Sequence, residues 1–357
     1  MRCGMRVPHV WNRFHILGYD VPVGALNDVA RLAGVSKATA SRALSGRGYV
    51  AVETRDRVVA AAAELGYVVS TNAASLVTGH TRNVGVVLPH INRWYFGEVL
   101  EGIETFLMDA GYDLTLYRLS ADPVARRRVF EYFLVRKRVD AVIAVGIECT
   151  PVEVGLLHSL GVPVVGLGGP IEGVTTISID DVAAAQLATE HLISLGHRRI
   201  MHIGTDQGNE VDFHTHDQRY RGFQRAMDAA GLDPSAYRRT ELTIAGGFST
   251  GLAVLADPRH RPSAIMAGSD EVAIGVIVAG RQLGIAVPEQ LSVIGIDGHE
   301  LAPMFGLTTL AQDPAGQASV AVGLIVDELL GATTSPDPVW HPYPVRLEVR
   351  GSTTAPR

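Results

Sequence analysis

The chain has 357 residues, 47% of them hydrophobic and 19% charged, with a formal net charge of −6. That length is too great for one ordinary core, and the composition excludes a disordered chain, so two or three folded units are expected. The acidic balance excludes a protein that coats nucleic acid indiscriminately. Charge is unevenly spread. Residues 24–80 hold six Lys or Arg against four Asp or Glu, and residues 1–23 hold three Arg against one Asp, which leaves −10 on the remainder. A mildly basic head on an acidic body fits nucleic-acid contact confined to one end. The apolar stretch from Val272 to Gly280 is far short of the roughly 18 residues that a membrane span needs. Arg2 and Arg6 precede no continuous apolar segment, so no signal peptide is expected. Cys3 and Cys149 form neither a disulfide nor a metal pattern, and a reducing cytoplasm is the expected compartment.

Residues 1–22 show no clear periodicity and read as an N-terminal extension, expected to be disordered. Residues 28–44 read as two short helices joined by a tight turn. Val29, Ala30 and Ala33 give the first an apolar face, and Gly34 supplies a turn position that tolerates positive φ. Ser36 offers an N-cap oxygen to a second helix that starts near Lys37. That helix keeps Ala40 and Leu44 inward and puts Lys37, Ala38, Thr39, Ser41 and Arg42 outward or at its ends. A cation near a helix start with small hydroxyls around it suits a DNA major groove. The hydroxyls can reach phosphates, and Arg42 can make a bidentate contact with guanine. A generic helical hairpin with a polar surface is the alternative reading of these residues alone. A third helix is expected over about Val52 to Leu65, packing through Val58, Ala62 and Leu65 and stopped by Gly66. Residues 70–80 are small and polar, a linker only weakly helical by itself.

From residue 83 apolar runs alternate with helical stretches. Strands are expected at Asn83–Pro89, Tyr112–Leu119, Val139–Gly146, Pro163–Gly168 and Thr176–Asp180. A second series is expected at Arg199–Gly204, Glu241–Ala245, Ala264–Ser269 and Ser292–Asp297. Such alternation implies parallel sheets built from right-handed βαβ units, and two series imply two lobes. No internal repeat is evident.

The ordered set Asp28-Val-Ala, Ala33-Gly-Val-Ser, Ser41-Arg42, Thr54-Arg55, Glu64-Leu-Gly-Tyr67 and Leu76 resembles the DNA-binding headpiece of the lactose/galactose-repressor (LacI/GalR) family. Residues 83–350 resemble that family's ligand-sensing core, with Glu190-His-Leu and Leu195-Gly-His-Arg among the matches. The resemblance implies an α plus α/β fold: a three-helix helix-turn-helix headpiece at 23–69, a hinge at 70–80, and a two-lobed core at 81–350 like periplasmic sugar-binding proteins. It implies lobe 1 at about 81–189 and 313–340, lobe 2 at about 190–312 and 341–350, and a tail at 351–357. The chain is then expected to cross between lobes near 189, 313 and 340. In this family the hinge becomes helical on operator DNA, and the leucine matching Leu76 wedges into the minor groove; an apolar wedge can kink a duplex. Three positions depart from the family: Ala25 stands for a usual Thr, Ala51 for a Ser cap and Ala74 for an Arg.

Parallel sheets bind ligands beyond the carboxyl ends of their strands. There the sequence places Pro89-His-Ile-Asn-Arg-Trp-Tyr-Phe96, Asp180-Asp181, Ser269-Asp270 and Asp297-Gly-His299. Carboxylates, an arginine and aromatic faces suit a polyhydroxylated ligand. The resemblance implies that Tyr95 and Phe96 wall the effector cleft and that Asp180, Arg219, Phe248, Ser269, Asp297 and Gln312 contact the effector. The patterns Arg219-x-x-Gly-Phe and Ile294-Gly-x-Asp297 are intact, whereas Ser269 stands where sugar-responsive members often carry Asn. Each Asp at a strand end has a second reading as a helix N-cap, left open for Asp181 and Asp270. The loop 206–217 carries two His and several acids, but His-x-His in a polar loop does not make converging metal ligands, and no metal or cofactor is expected.

Together these features imply a sequence-specific DNA-binding transcriptional regulator, expected to be a repressor. It would bind a near-palindromic operator as a homodimer and be switched by a small molecule, a sugar or sugar derivative. Two other classes fit the α/β scaffold. A sugar-processing enzyme could use the Asp180/Asp297 pair, but the chain lacks a dinucleotide or Walker loop, a nucleophile elbow and a His-Glu-x-x-His motif. A solute-binding receptor would need no headpiece.

Overall fold

The protein is described by a computed structural model covering residues 25–45, 48–67, 80–136, 138–205, 215–332 and 337–357. The expected extension at 1–22, the hinge with Leu76 and most of the 206–217 loop lie outside the described residues. The chain divides into two compact units between Thr81 and Arg82.

The first unit contains α1 (Leu26–Leu32), α2 (Lys37–Ser45) and α3 (Val52–Glu64). Their shared core is Val29, Ala30, Ala33, Ala40, Ala43, Val58, Ala61 and Ala62. Small side chains at every crossing let three short helices approach closely, and burial stabilises helices too short to persist alone. Leu44 and Leu65 are partly buried at the edge of this core. Gly34 has φ +68, and the Val35 N–H reaches the Ala30 carbonyl at 2.9 Å. Gly66, at φ +59, lets the Tyr67 N–H bond the Ala62 carbonyl at 2.8 Å and close α3. Ala25 offers α1 no side-chain cap, yet the Asp28 carboxylate accepts the Ala25 N–H at 3.1 Å, so part of the cap survives. Ala51 leaves α3 without a side-chain cap.

The second unit holds two six-stranded sheets with helices between the strands. The first lobe runs β1 (Asn83–Leu88), α4 (Trp94–Asp109), β2 (Asp113–Arg118), α5 (Pro123–Arg128), β3 (Ala141–Val145), α6 (Pro151–Ser159), β4 (Val164–Leu167) and β5 (Thr175–Ser178). The second runs α7 (Asp181–Ser194), β6 (Ile200–Gly204), α8 (Thr215–Ala229), β7 (Tyr237–Arg239), α9 (Ile244–Leu255), β8 (Ala264–Ala267), α10 (Asp270–Gln282), β9 (Ser292–Asp297) and β10 (Thr308–Ala311). Then α11 (Pro314–Leu329) and β11 (Trp340–Pro342) return to the first lobe, and β12 (Arg346–Glu348) ends in the second. The sheet orders are β11-β5-β4-β3-β1-β2 and β12-β10-β9-β8-β6-β7.

Every strand pairing is parallel except β12 on β10, which is antiparallel. The inner strands β1, β3, β8 and β9 are buried on both faces, as parallel sheets require, while the edge strands β2, β7 and β11 are more exposed. Val84, Val86 and Leu88 of β1 pack under α4 and α11, with Ile103, Leu107, Ala318, Ala321 and Ile325. Val87, Val142 and Ala144 face the other way, against Phe130 and Leu157.

Three expectations need correction. Residues 241–245 are not a strand. Thr243 caps α9, its hydroxyl oxygen accepting the Gly246 N–H at 2.9 Å, and the edge strand is β7 at Tyr237–Arg239. The helix is preferred there because Gly247 and Gly275 let α9 and α10 touch backbone to backbone; a Cβ on either would strike the opposite helix. The first crossing falls at 179–180, not near 189, because α7 buries Ala184, Ala188 and Leu192 against Met266 and Ile294 of the second sheet. The last crossing falls at 343–345, since β11 pairs with β5 and β12 with β10.

His202 on β6 is wholly buried. Its ring lies among Tyr220, Phe223 and Tyr237, and its Nδ1 sits 3.0 Å from the Met266 carbonyl. Burial pushes its pKa down to about 4, against the opposing pull of that carbonyl. Below the unfolded value the unfolded chain takes a proton that the folded chain refuses. This residue therefore contributes stability above about pH 6.5 that is lost as the pH falls toward about 4. His202→Phe should keep the stacking and reduce that pH-dependent loss by about 3 kcal/mol. Urea unfolding across the window checks it, and identical pH slopes in the two proteins would refute it.

Candidate DNA-contact helix and ligand cleft

In the first unit α2 presents a polar face. Lys37, Ala38, Ser41 and Arg42 are exposed and Thr39 is half-buried, while Ala40 and Ala43 fix the opposite side in the core. The Ser36 hydroxyl accepts the Thr39 N–H at 3.1 Å and lies 2.9 Å from the Thr39 hydroxyl. One of the two hydroxyl protons satisfies that pair, which leaves the other for an external acceptor such as a phosphate. The Arg42 Nε donates to the Ala38 carbonyl at 3.2 Å, so the side chain lies along its helix with the far end of the guanidinium outward.

In the second unit a cleft open to solvent lies between the lobes. The first lobe contributes Arg93, Tyr95, Phe96, Ser178 and Gln317, and the second contributes Asp181, Arg219, Ser269, Glu271 and Asp297, with Gln312 on the connection between them. Gly168, at φ +86, leaves room for the Tyr95 hydroxyl, which would stand 2.9 Å from a Cβ there.

At the base of the cleft Arg219 lies between two carboxylates. Its Nε donates to Asp181 at 2.8 Å, its Nη2 lies 3.5 Å from Asp297, and its Nη1 donates to the Gly268 carbonyl. The local sequence explains the reach. A Cβ on Gly222 would strike the Val182 carbonyl, so the Arg-x-x-Gly-Phe pattern brings α8 against the start of α7 and Arg219 onto Asp181. Phe223, one residue on, is wholly buried in the same packing. Asp297 also accepts the Gln312 Nε2 at 2.9 Å. The Gln312 Oε1 accepts the Gln317 side chain at 3.2 Å, and the Tyr95 hydroxyl lies 3.4 Å from the Gln317 Oε1. A chain of polar contacts thus runs from Tyr95 in one lobe to Asp181 in the other.

Burial raises the carboxylates here. Asp297 is pushed up to about 6 by desolvation, against the pull of Arg219 and Gln312. Glu271 is pushed up to about 7 by desolvation and by Asp297, with Arg93 opposing. Asp270 is pushed up to about 7 by desolvation and the Asp297 charge.

Tyr95, Phe96, Arg219, Ser269, Asp297 and Gln312 come together in the cleft. Asp180 does not. Its side chain is spent as the N-cap of α7, accepting the Ala183 N–H at 2.9 Å, and the residue is exposed. Asp181, the next residue, takes the inward place, so the two carboxylates exchange the expected roles. Phe248 is half-buried on α9 and outside the lining; the helix at 244–255 carries it away. Ser269 caps α10, accepting the Val272 N–H at 3.3 Å, so Asp270 is not the cap. Arg93, Glu271 and Gln317 were not expected. Gln317 could have been found from its place one helical turn after Pro314, beside Gln312. Glu271 carried no signal, since it follows Ser269-Asp270 as an ordinary first-turn acid. Among the described residues no group of three His, Cys, Asp or Glu could hold a metal, and no helix is long and apolar enough to cross a membrane.

Arg219→Ala would strand two buried carboxylates. Breaking a buried pair by removing one partner costs about 3–5 kcal/mol. The loss should approach that range at neutral pH and shrink as the pH falls through about 6, where Asp297 takes a proton. Denaturant unfolding at both pH values measures it; a loss independent of pH would show that the carboxylates are not the cause.

The pattern of the bacterial regulatory proteins of the lacI family matches residues 25–70, and that of the periplasmic binding protein-like domain matches residues 189–353. The chain is 33% identical over 319 residues to the HTH-type transcriptional repressor PurR of Serratia proteamaculans, covering 86% of this chain and 91% of that protein. It is similar in structure to the transcriptional regulator CelR in its cellobiose complex, with a TM-score of 0.66, 27% identity and coverage of 92% and 99%. It shares the fold of the lac repressor dimer bound to operator and anti-inducer, with a TM-score of 0.81, 23% identity and coverage of 93% and 99%. The chain is a DNA-binding transcriptional regulator rather than an enzyme, and it belongs to the lacI family of bacterial regulatory proteins.

Proposed function

We propose that this protein binds a near-palindromic operator as a homodimer in the cytoplasm and represses transcription until, or unless, a sugar or sugar derivative occupies the cleft. The observation that carries the effector reading is the polar chain from Tyr95 through Gln317, Gln312 and Asp297 to Arg219 and Asp181. Its members are acceptors and donors at hydroxyl spacing, with Phe96 as an apolar wall, and they come from both lobes. A ligand that bonds both ends of this chain fixes the angle between the lobes. The complex of CelR with cellobiose supports a carbohydrate as the chemical class.

On DNA, Lys37, Ala38 and Arg42 read bases in the major groove, while Ser36, Thr39 and Ser41 hold phosphates. Leu76 serves as a minor-groove wedge. One head of net charge +2 is a small recognition surface, and two-fold symmetry lets paired heads read paired half-sites. Coupling between effector and operator is reciprocal: whatever factor the sugar applies to operator affinity, the operator applies to sugar affinity.

Fluorescence anisotropy with a full palindrome and with a half-site tests the DNA reading. Arg42→Ala should cost about 1–3 kcal/mol on the cognate palindrome and relax preference at one base pair. An equal loss on random DNA would confine Arg42 to the backbone. A stable monomer that binds a half-site as tightly as the palindrome would remove the dimer.

A thermal-shift panel of neutral sugars tests the cleft, since a ligand of the folded state raises apparent stability. Gln312→Ala should weaken the sugar that responds best by roughly tenfold, the worth of about one hydrogen bond. Unchanged sugar affinity in that variant would move the site elsewhere.

A further inference from the structure

The turn after β9 has a residue in the cleft and a residue on the opposite lobe. Asp297 begins it and lines the cleft. His299, two residues on, stacks on Trp94, with ring centroids 5.1 Å apart and planes at 25°. Trp94 is the first residue of α4 in the first lobe, next to the cleft residue Tyr95. The His299 Nδ1 accepts the Leu301 N–H at 3.0 Å, so the ring is neutral with its proton on Nε2. The Trp94 indole N–H is buried with no partner among the described residues. Leaving that donor without a partner makes this arrangement of the lobes cost free energy.

One carboxylate holds this turn in shape. Asp270 is wholly buried and accepts the Gly298 N–H at 2.9 Å, the His299 N–H at 2.8 Å and the Thr309 hydroxyl at 2.7 Å. β9 gives up a side chain to admit it: a Cβ on Gly295 would collide with the Asp270 carboxylate. The backbone it grips is unusual, with Asp297 at φ 138 and Gly298 at φ 80. An aspartate persists in such a conformation only where its surroundings over-determine it. If the turn relaxed, this wholly buried carboxylate would lose two backbone donors, and a buried polar group without partners is costly.

We infer that Asp270 is a positioning residue that couples the cleft to lobe closure: it fixes the 297–299 turn so that Asp297 faces the ligand while His299 clasps Trp94. The inference rests on the reading of the cleft as the effector site. Ligand contact at Asp297 and the closing contact at His299 are then two ends of one rigid turn. A ligand that pulls on the first shifts the second.

The test uses the full-length chain with Trp11→Phe and Trp340→Phe, so that Trp94 is the sole tryptophan. Acrylamide quenching of Trp94 reads the clasp without any ligand. His299→Ala should raise the quenching constant severalfold. Asp270→Asn should raise it as much, and the double variant should go no further than either, because both remove the same contact. Thr309→Val, which removes one of the three donors, should move quenching the same way by less. Should Asp270→Asn fail to fold by circular dichroism, Thr309→Val alone and combined with His299→Ala supply the same cycle. Wild-type quenching in a folded Asp270→Asn protein, or effects that multiply in the double variant, would overturn the inference. Operator anisotropy and sugar thermal shifts on the wild-type chain test the effector reading separately, so either can fail while the other stands.

Discussion

A guanidinium buried between two carboxylates is the constraint around which the sensing unit is arranged. Arg219 is only 6% exposed, and taking such a charge out of water costs several kcal/mol unless it is paired. Asp181 and Asp297 supply the pairing, yet together they bring one negative charge too many. The surplus is distributed rather than neutralised. Gln312 donates to Asp297, the Gly268 carbonyl takes another Arg219 N–H, and burial holds Asp297 near the pH at which it can accept a proton. Each partner comes from a different element. The position of Arg219 therefore ties together α7, α8, β9 and the connection that carries Gln312.

That arrangement is possible because several glycines let backbones meet where side chains would keep them apart. Gly222 brings α8 onto α7, and Gly295 opens β9 to Asp270. These glycines are also the fixed letters of the two patterns that were legible in the sequence, Arg219-x-x-Gly-Phe and Ile294-Gly-x-Asp297. The patterns could be read because each encodes one local requirement, a close approach beside a charged residue. The headpiece was legible for the same reason: Gly34, Ser36 and Gly66 mark turn, cap and stop within a few residues of each helix.

What could not be read depends on partners distant in sequence. Asp180 and Asp181 are chemically equal in the chain. Which one caps α7 and which one meets Arg219 follows from the direction in which α7 leaves β5, so the choice of Asp180 as the inward residue could not be checked in the sequence and falls instead on Asp181. Residues 241–245 alternate like a strand, but Thr243 caps a helix that starts at Ile244 and packs on Val272 and Gly275. His299 was placed at a strand end by the sequence, but its role was not legible because it exists only opposite Trp94, roughly two hundred residues earlier. Local patterns identify what a residue can do; the second lobe decides whether it does so.

The same charge layout narrows the chemistry that the cleft can accept. Asp181, Glu271 and Asp297 line it together with Arg93 and Arg219, and Arg219 is committed to two of them and to a carbonyl. A carboxylate or phosphate on the ligand would find Arg219 already committed and would face Glu271, whose own charge is already disfavoured by burial. A neutral polyol meets the opposite situation. Its hydroxyls donate to carboxylates and accept from Gln312 and Gln317, and no new charge is desolvated. The three crossings between the lobes are themselves stitched together, with the Tyr343 hydroxyl on Asp313 at 3.1 Å and the Tyr343 N–H on the Ser178 carbonyl at 2.8 Å. These crossings run beside Ser178 and Gln312, which line the cleft. On the proposed reading, a ligand of this neutral class bears on these connections through hydrogen bonds to Gln312 and its neighbours in the cleft.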